Sequence, residues 1–100
     1  MIHAIWEFRV LPEYVAEFEV NYRPTGAWAQ LFRRSPGYRG TELLRDQEDP
    51  LRFVTIDKWD DRVSYKAIKE EPEYAFLDAR CEQLTTSERL IGIFEVLQPL

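Results

Sequence analysis

The aromatic side chains carry the strongest chemical suggestion in this sequence. Trp6, Tyr22, Trp28, Trp59 and Tyr65 fall on segments expected to border the space between a sheet and its helices. Ring faces there could hold a small, flat, apolar ligand, with the Tyr22 hydroxyl and the Trp28 N–H as donors. Arg9 is the candidate cation for any anion formed on such a ligand. Rings at helical spacing also build ordinary cores, so the core and cavity readings stand side by side.

The other reactive residues have simpler readings. His3 shares a strand face with Glu7, a spacing that allows a hydrogen-bonded general base, but a histidine at a sheet edge or subunit contact needs no catalytic task. Cys81 sits on an apolar helical stripe, where a thiol behaves as a small hydrophobe. Asp60-Asp61 could form a carboxylate pair, yet capping the next helix accounts for both. One His and one Cys far apart give no metal-ligand spacing, so no metal is expected. Gly37-Tyr38-Arg39-Gly40 is too short for a phosphate loop and lacks the strand-to-helix setting.

These residues are positioned by a readable series of elements. Residues 2–10 alternate, with Ile2, Ala4, Trp6, Phe8 and Val10 on one side and His3, Ile5, Glu7 and Arg9 on the other, which predicts a strand. Pro12 opens a helix whose buried stripe is Tyr14, Val15, Phe18 and Tyr22. Arg23-Pro24-Thr25-Gly26 interrupts it, a second piece carries Trp28, Leu31 and Phe32, and Ser35-Pro36-Gly37 stops that piece. Residues 38–46 and 51–59 read as an antiparallel hairpin around a polar turn. A helix with Val63, Ala67 and Ile68 inward follows, and Pro72 opens another with the stripe Tyr74, Leu77, Cys81 and Leu84. Thr85-Thr86-Ser87 reads as a turn before a last strand at 89–97.

The order β, helix, β, β, helix, β predicts one α+β domain over residues 1–100, ferredoxin-like (βαββαβ), with both helical segments on one face of a four-stranded antiparallel sheet. Ile5 on the outer side of the first strand, and a last strand apolar on both sides, leave the other sheet face too oily for water. A second copy packed sheet to sheet is the simplest cover, so a homodimer through the open sheet face is expected.

Composition narrows the partners. The formal charge is −5, and no basic run is present, so nucleic acid is an unsuitable partner. The first residues have no basic start and no long apolar run, which predicts neither signal peptide nor membrane span. A lone cysteine gives no internal disulfide, and the cytoplasm is the expected compartment.

Several strings together resemble a family. They are the strand from Ile2 to Val10, Gly37-Tyr38-Arg39-Gly40-Thr41-Glu42-Leu43-Leu44, Asp57-Lys58-Trp59-Asp60, the Tyr74 helix and Ile91-Gly92-Ile93-Phe94-Glu95. In these the chain resembles the dimeric α/β-barrel group that includes antibiotic biosynthesis monooxygenases and haem-degrading monooxygenases. The resemblance implies a dimeric barrel, and it sets Trp59 at a family tryptophan near the pocket. Haem-degrading relatives place an iron-ligating histidine on the helix after the third strand, whereas Asp61 to Leu84 holds none, so haem ligation of that type is not expected. For the other branch the resemblance implies a cofactor-independent oxygenase of a small aromatic, polyketide-type substrate. The competing readings are a non-catalytic dimeric module for a small molecule or another protein, and an isomerisation or dehydration on the same fold.

Overall fold

The computed structural model describes residues 1–98. The elements run β1 (Ile2–Val10), a 3-10 turn (Pro12–Tyr14), α1 (Val15–Tyr22), α2 (Ala27–Phe32), β2 (Tyr38–Arg45) and β3 (Arg52–Trp59), then α3 (Arg62–Ile68), α4 (Pro72–Cys81), a second 3-10 turn (Glu82–Leu84) and β4 (Thr85–Glu95). The sheet order is β2-β3-β1-β4, with every neighbouring pair antiparallel. This is the α+β, ferredoxin-like arrangement expected from the sequence.

Alternation decides what faces the helices. On β3, Phe53, Thr55, Asp57 and Trp59 are buried, and Arg52, Val54, Ile56 and Lys58 between them are half-buried on the other face. Their β1 partners on the helix side are Phe8, Trp6, Ala4 and Ile2. A continuous set of rings fills the layer above. Phe18 stacks on Tyr22 at 4.1 Å, Tyr22 meets Trp28 at 6.0 Å, Trp28 meets Phe32 at 5.8 Å and Phe32 meets Trp59 at 5.2 Å. Such ring contacts add attraction beyond the area they bury.

Two glycines shape this layer. Gly26 ends the break between α1 and α2, where a Cβ would lie 2.5 Å from the Val20 carbonyl oxygen and 2.6 Å from that of Asn21. Only glycine lets α2 fold back so closely over the end of α1, and that return puts Trp28 against Tyr22. Gly40 has φ +121° at a bulge in β2, where Tyr38 pairs with Trp59 and Gly40 with Lys58, leaving Arg39 as the extra residue. A regular strand would point positions 38 and 41 to opposite faces. The bulge brings both to the helix side, where their hydroxyls meet.

Two local expectations are corrected. On α3 the buried residues are Tyr65 and Ile68, whereas Ala67 is exposed and Val63 is 77% exposed. Asp61 sets that register by accepting the Ser64 N–H at 2.8 Å, which turns positions 65 and 68 toward the sheet. Residues 85–87 are strand rather than turn. The 3-10 turn feeds β4 directly, with the Leu11 N–H donating to the Leu84 carbonyl and Thr85 already opposite Val10.

Because backbone carbonyls cannot move aside as a side-chain tip can, Gly26→Ala is expected to destabilise the fold by about 1–3 kcal/mol. Thermal unfolding checks this; an unchanged Tm would show that the α1–α2 return tolerates a side chain.

Candidate functional site

A narrow, partly open slot of about 50 Å³ lies between the sheet and the helices. Trp6 and Phe8 of β1 form part of its floor, with Thr55 and Asp57 of β3 and Thr41 of β2. Tyr22, Trp28 and Phe32 of α1 and α2 form one wall, Tyr74 and Asp78 of α4 another, and Glu88 of β4 completes the lining. The volume suits a few water molecules, so a polycyclic ligand requires the walls to part. The break at residues 23–26 precedes Trp28, and Tyr74 meets Trp28 edge-on at 5.1 Å across the slot.

Asp57 is the unusual group. It is 7% exposed, and the one hydrogen bond to its carboxylate comes from the Thr41 hydroxyl at 2.8 Å to Oδ1. Because Thr41 gives its proton to Asp57, the Tyr38 hydroxyl donates to Thr41, at 2.5 Å. Burial pushes the Asp57 carboxyl up to about 6, with the Thr41 hydrogen bond pulling weakly the other way. No cation contributes to holding it ionised. Asp57 is thus a buried carboxylate whose pKa burial raises toward the range useful for acid–base chemistry.

The remaining groups divide between proton-inert and acidic. Burial, together with the neighbouring Cys81 and Glu88, lifts the Tyr22 hydroxyl far above its ordinary range. Tyr74 is raised in the same way, first by burial. Both phenols stay protonated at neutral pH. Glu88 is raised by burial and by the like charges of Asp78 and Glu82. The Trp28 indole N–H is buried near Tyr22 and Cys81, but it makes no well-formed hydrogen bond.

Among the residues singled out from sequence, Trp6, Tyr22 and Trp28 converge on the slot. Trp59 and Tyr65 lie behind its wall. Trp59 is fully buried against Phe32, Tyr38 and Tyr65, and neither the Trp59 N–H nor the Tyr65 hydroxyl has a partner. Arg9 is on the opposite sheet face, since it alternates with Phe8 and Val10, and it pairs with Asp49. Glu7 on that face is bound by Arg52 at 2.6 Å and Arg89 at 3.3 Å rather than by His3. Among the described residues no three His, Cys, Asp or Glu side chains gather as a metal site. Sequence reasoning missed Asp57, Thr41 and Glu88. The signal for Asp57 was there: in strict alternation it falls in phase with Phe53, Thr55 and Trp59, an ionisable residue at an inward position.

Comparison with known proteins converges on one family. The sequence model described as antibiotic biosynthesis monooxygenase matches residues 1–77. Deoxynogalonate monooxygenase of Streptomyces nogalater is 31% identical over 85 residues, which span 85% of this chain and 68% of that protein. Among solved structures, SnoaB, a cofactor-independent oxygenase from Streptomyces nogalater, superposes with a TM-score of 0.75 at 22% identity, covering 99% of this chain and 95% of that one. A Deinococcus radiodurans protein assigned to the same group superposes with a TM-score of 0.82 at 16% identity, covering 100% and 96%. Fold, sequence model and relative agree, and the chain belongs to the antibiotic biosynthesis monooxygenase family.

Proposed function

We propose that this protein is a cofactor-independent monooxygenase of a small hydroxylated aromatic compound of the polyketide type, with Trp6, Tyr22 and Trp28 as ligand-holding rings and Asp57 as the base. The observation that carries this reading is the titratable carboxylate on the floor of an aromatic slot. An anthrone-like substrate has a CH2 group whose proton is acidified by the adjoining rings. Asp57 takes that proton, and the delocalised carbanion is electron-rich enough to reduce dioxygen directly. In the net reaction CH2 becomes C=O and O2 is reduced, one oxygen atom entering the product and the other leaving as water. Deprotonation moves one negative charge from a small buried carboxylate to a larger, delocalised anion. The slot gains no net charge, so no partner cation is required. The Tyr22 and Tyr74 hydroxyls of the lining are the donors proposed for the oxygen atoms on which that charge collects.

The same reading includes a homodimer. Ile5, Val54 and Ile56 of the open sheet face lie beside Leu44 and Phe94, which are 48% and 47% exposed. Charged pairs border this strip, Glu7–Arg52 and Lys58–Glu42 among them. A self-complementary sheet-to-sheet contact would cover the apolar part and keep the charges at its rim. Among the described residues no helix is long and apolar enough to cross a membrane. The lone thiol Cys81 fits the reducing cytoplasm. The narrowness of the slot favours a second reading, a binding module without turnover, and oxygen consumption separates the two.

With a hydroxylated anthrone in metal-free buffer, one O2 is expected to be consumed per anthrone oxidised. Asp57→Asn should lower kcat by about 10²–10⁴-fold. In the wild type kcat should rise as pH increases through about 6, because the base must be ionised. Uptake that is absent, or indifferent to Asp57, overturns the oxygenase reading.

The same substitution should stabilise the fold. The folded carboxyl titrates at about 6, above its ordinary 3.8, so its burial cost is absent below 3.8 and complete above about 6. Asn keeps an acceptor for Thr41, and at neutral pH the gain should approach roughly 2–3 kcal/mol, vanishing in acid. Denaturant unfolding across pH checks this. For the assembly, light scattering should give a dimer at micromolar concentration, and Leu44→Glu with Phe94→Glu should give a folded monomer.

A further inference from the structure

We infer that Thr41 and Tyr38 are positioning residues for Asp57, their hydroxyls forming a chain that holds Oδ1 and leaves Oδ2 as the oxygen that takes the proton. The inference rests on the role proposed for Asp57 as the base. The Thr41 hydroxyl donates to Oδ1 at 2.8 Å, and among the described residues Oδ2 accepts no hydrogen bond. A hydroxyl has one proton to give. Thr41 gives its own to Asp57, and the Tyr38 hydroxyl, 2.5 Å away, donates to the Thr41 oxygen from behind. A hydroxyl that accepts one hydrogen bond donates a stronger one, so Tyr38 reinforces the hold on Oδ1.

The backbone is shaped to make this chain. The extra residue Arg39 returns positions 38 and 41 to one side of the sheet, and that residue is tied down. Its guanidinium donates to both carboxylate oxygens of Asp60, at 2.6 and 2.7 Å, and the Asp60 N–H donates to the Gly37 carbonyl at 2.8 Å. Exposed ion pairs add little stability, but a two-pronged one fixes geometry, here the register of the bulge. The other titratable groups around the slot are Tyr22 from α1, Tyr74 and Asp78 from α4 and Glu88 from β4, with Tyr65 of α3 behind the wall. The Asp57 carboxyl answers to burial and to Thr41 rather than to any of these. Loss of the Thr41 bond removes the one contact that favours the ionised form, so the carboxyl must then titrate at higher pH.

Carbon-13 NMR of the whole chain, labelled at its aspartate carboxyls, follows Asp57 directly. Asp57→Asn assigns the signal, and Glu88 is silent in it. Thr41→Val should raise the Asp57 midpoint by about one pH unit. Thr41→Ser should restore it, and Tyr38→Phe should raise it by about 0.3 pH unit. In turnover, Thr41→Val should lower kcat about tenfold well below the midpoint and far less well above it, a pH-dependent loss that a merely structural change would not give. A midpoint unmoved in Thr41→Val, or raised equally in Thr41→Ser, overturns the inference. Should Thr41→Val fail to fold, an unmoved midpoint in Tyr38→Phe overturns it instead. Because the carboxyl titrates without substrate, absent oxygen uptake would remove the oxygenase reading and leave the positioning of Asp57 standing.

Discussion

A carboxylate out of water without a cation is costly, and the site is organised around that cost at Asp57. The central strand β3 can point only alternate residues at the helices, and Asp57 is among them, between Thr55 and Trp59. The Thr41 hydroxyl is its one side-chain partner, and Thr41 depends on a bulge and a left-handed glycine to sit beside Tyr38. The aromatic layer above then limits the water that can solvate the carboxylate, leaving Asp57 7% exposed. The rings and the acid are a single device: without the rings Asp57 would be an ordinary surface acid, and without the acid the slot would be plain core.

The arrangement gives the two faces of the sheet different chemistry. The helix side carries rings, hydroxyls and uncompensated carboxylates. The other side carries paired charges, with Arg52 bridging Glu7 and Asp46, and an apolar strip between them. Arg9 shows the division well. One position along β1 from Phe8, it cannot reach the slot and serves a surface pair. Charge on the open face is compensated by ion pairs, and the carboxylate of Asp57 in the slot has no cation beside it.

Much of the fold was legible in the sequence because its signals are local. The alternation of β1, the polar turn between β2 and β3, the Pro24–Gly26 break and the stripe Leu77, Cys81, Leu84 each need only a few residues to recognise. Val63 misled because its apolar character competes with a cap that fixes the helix register from outside the stripe. The start of β4 misled because Thr85 and Thr86 suit turns and strands alike, and pairing with β1 decided between them. The site was half legible. The rings announced themselves by type, but choosing Trp6, Tyr22 and Trp28 over Trp59 needs the depth of each in the layer. Asp57 was hidden because a charge on a strand is ordinarily read as its wet side, and only phase with Phe53 and Trp59 contradicts that.

Cys81 gives this arrangement a last consequence. Its thiol lies near Tyr22 and Trp28, and burial pushes its pKa up. Sulfur reacts with peroxides chiefly as thiolate, and here that form is suppressed. The dryness that raises the Asp57 carboxyl therefore also keeps the Cys81 thiol in the form least open to oxidation.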